Sequence, residues 1–325
     1  MQVYEQLERI ERKNWAHQRD SRGKGSREER KTESGVWDRA TLDAVYRLMK
    51  RGLVETVDCP ISTGKEGDVY LAFTPEAKPI ALKVYRTGTA DFRAIERYIA
   101  GDTRFPDRRT TTRDTIYTWA RKEWLNLRLA TEAGVPVPAP LAQHRNVLAM
   151  EYIGTDDTPA PELRNVKLED PAAFLELLLA AAARLYQGAG LVHGDLSEYN
   201  VLVHDGAPVI IDLGQAMLLK HPMAEELMER DCANLARYFR RLGVDTDEAR
   251  IMARITRPSR RARAPKAAAR RAAKARSAKV RAARAVRRSR RDAAEREWRA
   301  RTARAPGASR RSKARKAGAR KEGAK

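Results

Sequence analysis

Cysteine, aromatic residues and long apolar runs are all scarce in this chain. Cys59 and Cys232 are its only cysteines, far apart and without CxxC spacing. Neither a disulfide framework nor a cysteine zinc site is indicated, and both are read as packing residues. No apolar stretch follows Met1, and no run approaches the ~18 residues needed to cross a bilayer. The expectation is a cytoplasmic protein without a membrane partner. Aromatic residues make up 6% of the chain, and Trp298 is the one aromatic beyond residue 256.

Acidic charge is scarce in one region only. The net charge is +22, yet Arg257 to Lys325 holds 28 Lys and Arg against 4 acids, so the first 256 residues net −2. This Ala/Arg/Lys-rich segment favours helix by composition and opposes it by repulsion, so it is expected to be disordered alone and partly helical on a polyanion. An excess of +24 suits RNA or DNA phosphates with strong salt dependence, and the lack of aromatics argues against base-specific reading. Residues 1–36 are polar and mixed in charge, with Ser21-Arg22-Gly23-Lys24-Gly25-Ser26, and read as a flexible arm. The 325 residues leave room for one large or two modest domains.

Between these ends the pattern is that of a folded domain. Leu42, Val45, Tyr46, Leu48 and Met49 recur at helical spacing from Asp38 to Arg51, with Gly52 as a C-cap. Val54–Val57 and Ile61–Ala72 read as strands around Ser62-Thr63-Gly64-Lys65-Glu66-Gly67, a loop whose glycines would let backbone N–H groups approach phosphates. The loop is neither G-x-G-x-x-G nor a Walker sequence, since Glu66 follows Lys65. Ile80-Ala81-Leu82-Lys83-Val84-Tyr85 is a strand carrying a Lys within an apolar run, and Glu123 lies on an amphipathic helix with Trp124, Leu127 and Leu129 toward its core. Arg86 to Thr112 reads as a long polar segment containing Arg104, Arg108, Arg109 and Thr110. Further helices are expected over Phe174 to Gly188 and Ala224 to Leu242.

Chemistry concentrates in Leu191-Val192-His193-Gly194-Asp195-Leu196-Ser197-Glu198-Tyr199-Asn200, followed by Val209-Ile210-Ile211-Asp212-Leu213-Gly214-Gln215. A turn would account for Asp195, Asn200 or Asp212 singly. Two acids and an Asn between apolar strands are costly unless a cation or donors meet them. Such a set suits phosphoryl transfer: one Asp takes the proton of the attacking hydroxyl, while the Asn and the second Asp hold magnesium on nucleotide phosphates.

Together the Ser62–Gly67 loop, Lys83, Glu123, Met150-Glu151-Tyr152-Ile153-Gly154, the His193–Asn200 loop and Ile211-Asp212-Leu213-Gly214-Gln215 resemble the RIO atypical serine/threonine protein kinases, in their Rio-one branch. The similarity covers about residues 38 to 250. It implies an α+β, small bilobal kinase-like fold over 37–256, with a β-rich N-lobe at about 54–150 and a reduced helical C-lobe at about 155–256. It implies ATP with Mg2+ or Mn2+ as cofactors and Asp195 as the base. Asn200 and Asp212 would be metal ligands, and Asp212 a possible phospho-aspartate. Ser62, Gly64, Lys65, Val69, Lys83 and Glu123 would form the ATP site, with Met150, Glu151 and Ile153 at the inter-lobe hinge. The family further implies ATPase behaviour and maturation of the small ribosomal subunit, with rRNA reached through the basic tail. Gly194 replaces the arginine of ordinary protein kinases, Ser197 replaces their γ-phosphate lysine, and no A-P-E sequence follows Asp212, which argues against ordinary peptide substrates. Two rival readings are a small-molecule phosphotransferase of the aminoglycoside or choline kinase sort, and an ATP-sensing RNA-binding protein. The oligomeric state is unknown from the sequence. Deleting 257–325 is expected to weaken RNA binding steeply at low salt while sparing nucleotide affinity; unchanged RNA affinity in a salt titration would overturn the role given to the tail.

Overall fold

A computed structural model describes residues 37–88, 92–105, 111–155 and 158–257. The expected arm at 1–36, the expected tail beyond Arg257, and Arg108, Arg109 and Thr110 lie outside the described residues. Strands β1 (Thr56–Thr63), β2 (Gly67–Phe73), β3 (Pro79–Tyr85), β4 (Pro140–His144) and β5 (Val147–Glu151) form one antiparallel sheet in the order β1-β2-β3-β5-β4. The strand expected over Val54–Val57 begins at Thr56 and runs on to Thr63, with register shifts on either side of Pro60, where the missing N–H breaks the ladder. Strands β2 and β3 stay in register from Gly67 opposite Tyr85 to Phe73 opposite Pro79. A Cβ at Gly67 would sit 2.3 Å from the Val84 carbonyl oxygen, so only glycine lets β2 begin this close to β3.

Alternation along β3 divides the sheet into two faces. Ile80, Leu82 and Val84 join Tyr70, Ala72, Val147 and Ala149 under helix α1 (Arg39–Lys50), which contributes Ala44, Val45 and Leu48. Asp38 caps this helix by accepting from the Thr41 N–H at 2.7 Å. Asn146 ties helix to sheet, donating to Thr41 Oγ1 at 2.8 Å and to the Tyr85 carbonyl at 2.9 Å. The opposite face carries Ala81, Lys83, Tyr85 and Leu148 and turns toward the rest of the molecule.

The stretch Arg86 to Thr112 departs from expectation. Its described part contains helix α2 (Phe92–Ile99), with Ile95, Tyr98 and Ile99 buried. Spacing of i, i+3 and i+4 makes a short apolar stripe, which its many polar neighbours conceal in the sequence. Helix α3 (Thr112–Glu132) then crosses behind the sheet. Its Leu127 is buried, while Trp124 and Leu129 are partly buried against the core.

Beyond β6 (Gly154–Thr155) and β7 (Thr158–Pro159) the chain is largely helical, with α4 (Pro171–Ala183), α5 (Ala224–Arg241) and α6 (Glu248–Thr256). Asp170 caps α4, and Pro171 sits where its missing N–H is harmless. The helix expected to reach Gly188 narrows to Ala183 and continues as a single wide turn, Arg184–Ala189. Short strands β8 (Leu191–Val192), β9 (Val201–His204), β10 (Ala207–Ile210) and β11 (Met217–Leu218) pair as β8 with β11 and β9 with β10. Leu178, Leu191, Leu213, Cys232, Leu235, Phe239 and Ile251 share the core beneath them. Cys232 is thus a packing residue, and Cys59 is half-buried on β1. The result is the expected α+β bilobal arrangement: a β-rich N-lobe and a reduced helical C-lobe.

One buried ion pair fixes the β1–β2 loop. Arg86 Nη2 lies 2.7 Å from Asp68 Oδ1, with both side chains almost wholly buried. The Arg86 Nε donates to the Gly64 carbonyl at 3.3 Å, and its backbone N–H donates to the Glu66 carbonyl at 3.0 Å. Burial raises the Asp68 carboxyl above its ordinary range even against the Arg86 charge. Arg86→Met should therefore cost about 3–5 kcal/mol in denaturant unfolding, because an uncompensated charge remains inside. Adding Asp68→Leu should recover much of that loss.

Candidate active site

The register of the sheet gathers several candidate residues on its inner face. Ser62 lies opposite Val69, Val69 opposite Lys83, and Ala81 opposite Met150, and cross-strand partners project to the same side. Lys83 Nζ is 3.1 and 2.9 Å from Glu123 Oε1 and Oε2, and 3.0 Å from Asp212 Oδ1. The Tyr85 hydroxyl also donates to Glu123 Oε2. Burial pushes the Glu123 carboxyl up. Burial also works to raise Asp212, but the neighbouring Lys83 ammonium prevails and holds it below the ordinary carboxylate range.

Two further α3 side chains hold the loop that carries Asp212. Lys122 Nζ donates to the carbonyls of Gly214 and Ala216 at 2.7 and 2.6 Å. Asn126 Nδ2 donates to those of Leu213 and Ala216 at 2.8 and 2.9 Å. Both side chains are fully buried. Asp212 itself has φ +60°, a left-handed backbone uncommon outside glycine and asparagine. A Cβ on Gly214 would press on the Trp119 ring at 3.1 Å.

The Asp195 loop is built from the other side. Asn200 Nδ2 donates to the Asp195 carbonyl at 2.8 Å and to its Oδ2 at 3.2 Å. The Ile211 N–H donates to the Asn200 carbonyl at 3.0 Å, which brings Asn200 beside the Asp212 turn. His193 Nε2 faces the Ile211 carbonyl at 3.0 Å, and its Nδ1 faces the Asp195 N–H at 3.3 Å. These partners assign the proton to Nε2. Buried Asp231, on α5, accepts from the N–H groups of Gly194 at 2.8 Å and Leu196 at 2.7 Å, bracketing Asp195. Gly194 has φ +83°, and a Cβ there would meet Leu227 at 3.2 Å, which explains glycine at this position. Burial raises the Asp195 carboxyl.

At the mouth, Ser62, Gly64 and Lys65 are exposed and Val69 is half-buried. Glu66 reaches inward, taking a hydrogen bond from Trp119 Nε1 at 3.3 Å. Burial, reinforced by the charge of Asp212, raises its carboxyl. At the hinge the Glu151 N–H donates to the Ala139 carbonyl at 2.8 Å, and the Ile153 carbonyl accepts from the Ala160 N–H at 3.0 Å. Met150 and Ile153 are half-buried, and Glu151 is exposed.

Lys83, Glu123 and Asp212 thus meet directly, as do Asp195 and Asn200. Sequence reasoning missed Arg86, Asp68, Glu66, Lys122, Asn126 and Asp231. Lys122 and Asn126 flank Glu123 at positions one before and three after it, so polar residues on one helix edge were the available signal. Asp231 gave none, being one acid in a helix that carries several.

Burial lowers the Lys122 ammonium to about 7. Its pKa in the folded chain is below the unfolded value, so between about 7 and the ordinary lysine range the unfolded chain binds more protons. Stability should rise with pH across that window, by an amount on the order of a few kcal/mol. Lys122→Met should flatten the rise in unfolding midpoints measured over the same pH range.

The RIO domain family model matches residues 68–251. The RIO-type serine/threonine-protein kinase Rio1 of Haloferax volcanii is 46% identical over 217 residues, covering 67% of this chain and 74% of that protein. Its counterpart in Methanocaldococcus jannaschii is 38% identical over 219 residues, with the same coverage of 67% and 74%. Among solved structures, the Rio2 kinase from Chaetomium thermophilum superposes with a TM-score of 0.51 at 27% identity, covering 72% of this chain and 77% of that one. By the family model and these relatives, the chain belongs to the RIO family and is a RIO-type serine/threonine kinase.

Proposed function

We propose that the chain transfers the γ-phosphoryl group of ATP at the Lys83–Asp212–Asp195 site, and that it acts on small-subunit ribosomal precursors in the cytoplasm. The observation that carries the chemistry is Lys83 held between Glu123 and Asp212 on the inner sheet face. Glu123 fixes the ammonium where it can meet nucleotide phosphates, as a strand lysine does in kinases. Val69 and Met150 would pack on the base. With the Glu151 N–H and the Ile153 carbonyl engaged within the protein, the Glu151 carbonyl and Ile153 N–H would be the groups that meet adenine. Ser62, Gly64 and Lys65 would close over the phosphates.

The donor set suits a hard cation. The Asn200 amide nitrogen faces Asp195, which leaves its oxygen free to ligate. Lys83 engages Oδ1 of Asp212, and Oδ2 would be the oxygen turned to the cation. One carboxylate and one amide oxygen, completed by phosphates and water, are what Mg2+ commonly takes. A cation held by Asn200 and Asp212 would supply charge neutralisation for the nucleotide's phosphates. Asp195, its carboxyl raised by burial, accepts the proton of the attacking hydroxyl. The ribosomal role rests on the family resemblance and on the 28 basic residues from Arg257 onward, which suit an rRNA partner.

Incubation with γ-labelled ATP and Mg2+ should label the protein. Asp195→Ala should cut the labelling at least ~10²-fold with ATP affinity nearly unchanged; loss of ATP affinity would refute the role given to Asp195. Label released by hydroxylamine marks an acyl phosphate and points to Asp212 and an ATPase cycle, whereas label that survives marks Ser or Thr. An unlabelled wild-type protein would overturn the proposal.

A further inference from the structure

Four polar residues that take no part in this chemistry form a continuous brace behind Asp212. Asp102, just beyond α2, is almost wholly buried and accepts from the Arg104 guanidinium through Oδ1 at 2.9 Å and Oδ2 at 2.6 Å. The same guanidinium donates through Nη1 to Asn126 Oδ1 at 2.8 Å. Asn126 then gives both of its N–H bonds to carbonyls of the Asp212 loop, and Lys122 gives two more. An arginine can only donate, so its contact obliges the amide oxygen to face Arg104 and the amide nitrogen to face the loop. The left-handed turn at Asp212 is intrinsically disfavoured, and such a conformation persists only where its surroundings impose it.

We propose that Asn126, oriented by the Arg104–Asp102 pair and assisted by Lys122, is the positioning residue that sets how well Asp212 presents its carboxylate to the metal ion. Arg104 thereby reaches the metal site through one amide without touching nucleotide or cation. The inference rests on the reading of Asp212 as a metal ligand and deepens it. Two variants separate orientation from bulk. Asn126→Asp keeps the shape and the Arg104 contact but turns the donor into an acceptor facing two carbonyls, those of Leu213 and Ala216. Arg104→Lys keeps a positive charge near Asp102 but loses the fork that spans to Asn126.

The test is calorimetric titration of the full-length protein with ADP, with and without Mg2+, the ratio of the two affinities reporting the metal. Asn126→Asp should reduce that ratio about 10–100-fold, the usual cost of removing a residue that orients a ligand. Arg104→Lys should reduce it less, and metal-free ADP affinity should hold in both. Should Asn126→Asp fail to fold, Arg104→Lys, at a partly exposed site, carries the test alone. A merely structural role would weaken ADP equally in both conditions, and an unchanged ratio in the folded variants would overturn the inference. If wild-type protein shows no Mg2+ dependence, it is the metal-ligand reading that fails, and the inference falls with it.

Discussion

Lys83 is the charge on which the two lobes converge. It stands almost buried on a strand, and a lone ammonium there would be very costly. Glu123 from α3 and Asp212 from the C-lobe make it tolerable, at 2.9 and 3.0 Å. Each of the three comes from a different element, so the contact holds only if sheet, helix and loop are all in place. Buried ion clusters of this kind are weak evidence for stability and better read as specificity or function.

The rest of the site can be understood as support for that meeting. On one side α3 presents Lys122 and Asn126 to the carbonyls of the Asp212 loop. On the other, Asp231 on α5 holds the backbone on both sides of Asp195. At the mouth, the Asp68–Arg86 pair secures the loop from Gly64 to Glu66. In each case a buried side chain satisfies backbone groups that loops leave without partners, as the cost of unpaired buried polar atoms demands. Asp195, Asn200 and Asp212 sit on loops, and elements packed into the core fix those loops.

The small C-lobe shows the same economy. Three described helices, α4, α5 and α6, pack around two short strand pairs, enough to hold the Asp195 and Asp212 loops against the sheet. Gly194 illustrates how local constraint and chemistry coincide. Its φ of +83° and the Leu227 methyl 3.2 Å from where a Cβ would sit favour glycine over the arginine that ordinary protein kinases place there.

The sequence by itself determined the elements whose periodicity is strong, including α1, β3, α5 and the middle of α3, and it singled out Lys83, Glu123, Asp195, Asn200 and Asp212. Lys83 and Asp212 are conspicuous because a charge at an apolar strand needs a reason that can be read locally, and the other three because they complete a kinase-like pattern around them. Only the tertiary structure decided what depends on distant chain segments. Helix α2 was hidden because its stripe is one turn long amid polar residues. Lys122, Asn126 and Asp231 were hidden because a polar residue on a helix is ordinarily solvated, and nothing in a linear chain says that it faces another loop's backbone groups. A hydrogen bond between residues 87 or 92 positions apart, such as those from Asn126 and Lys122 to the Asp212 loop, exists only once packing has closed that separation.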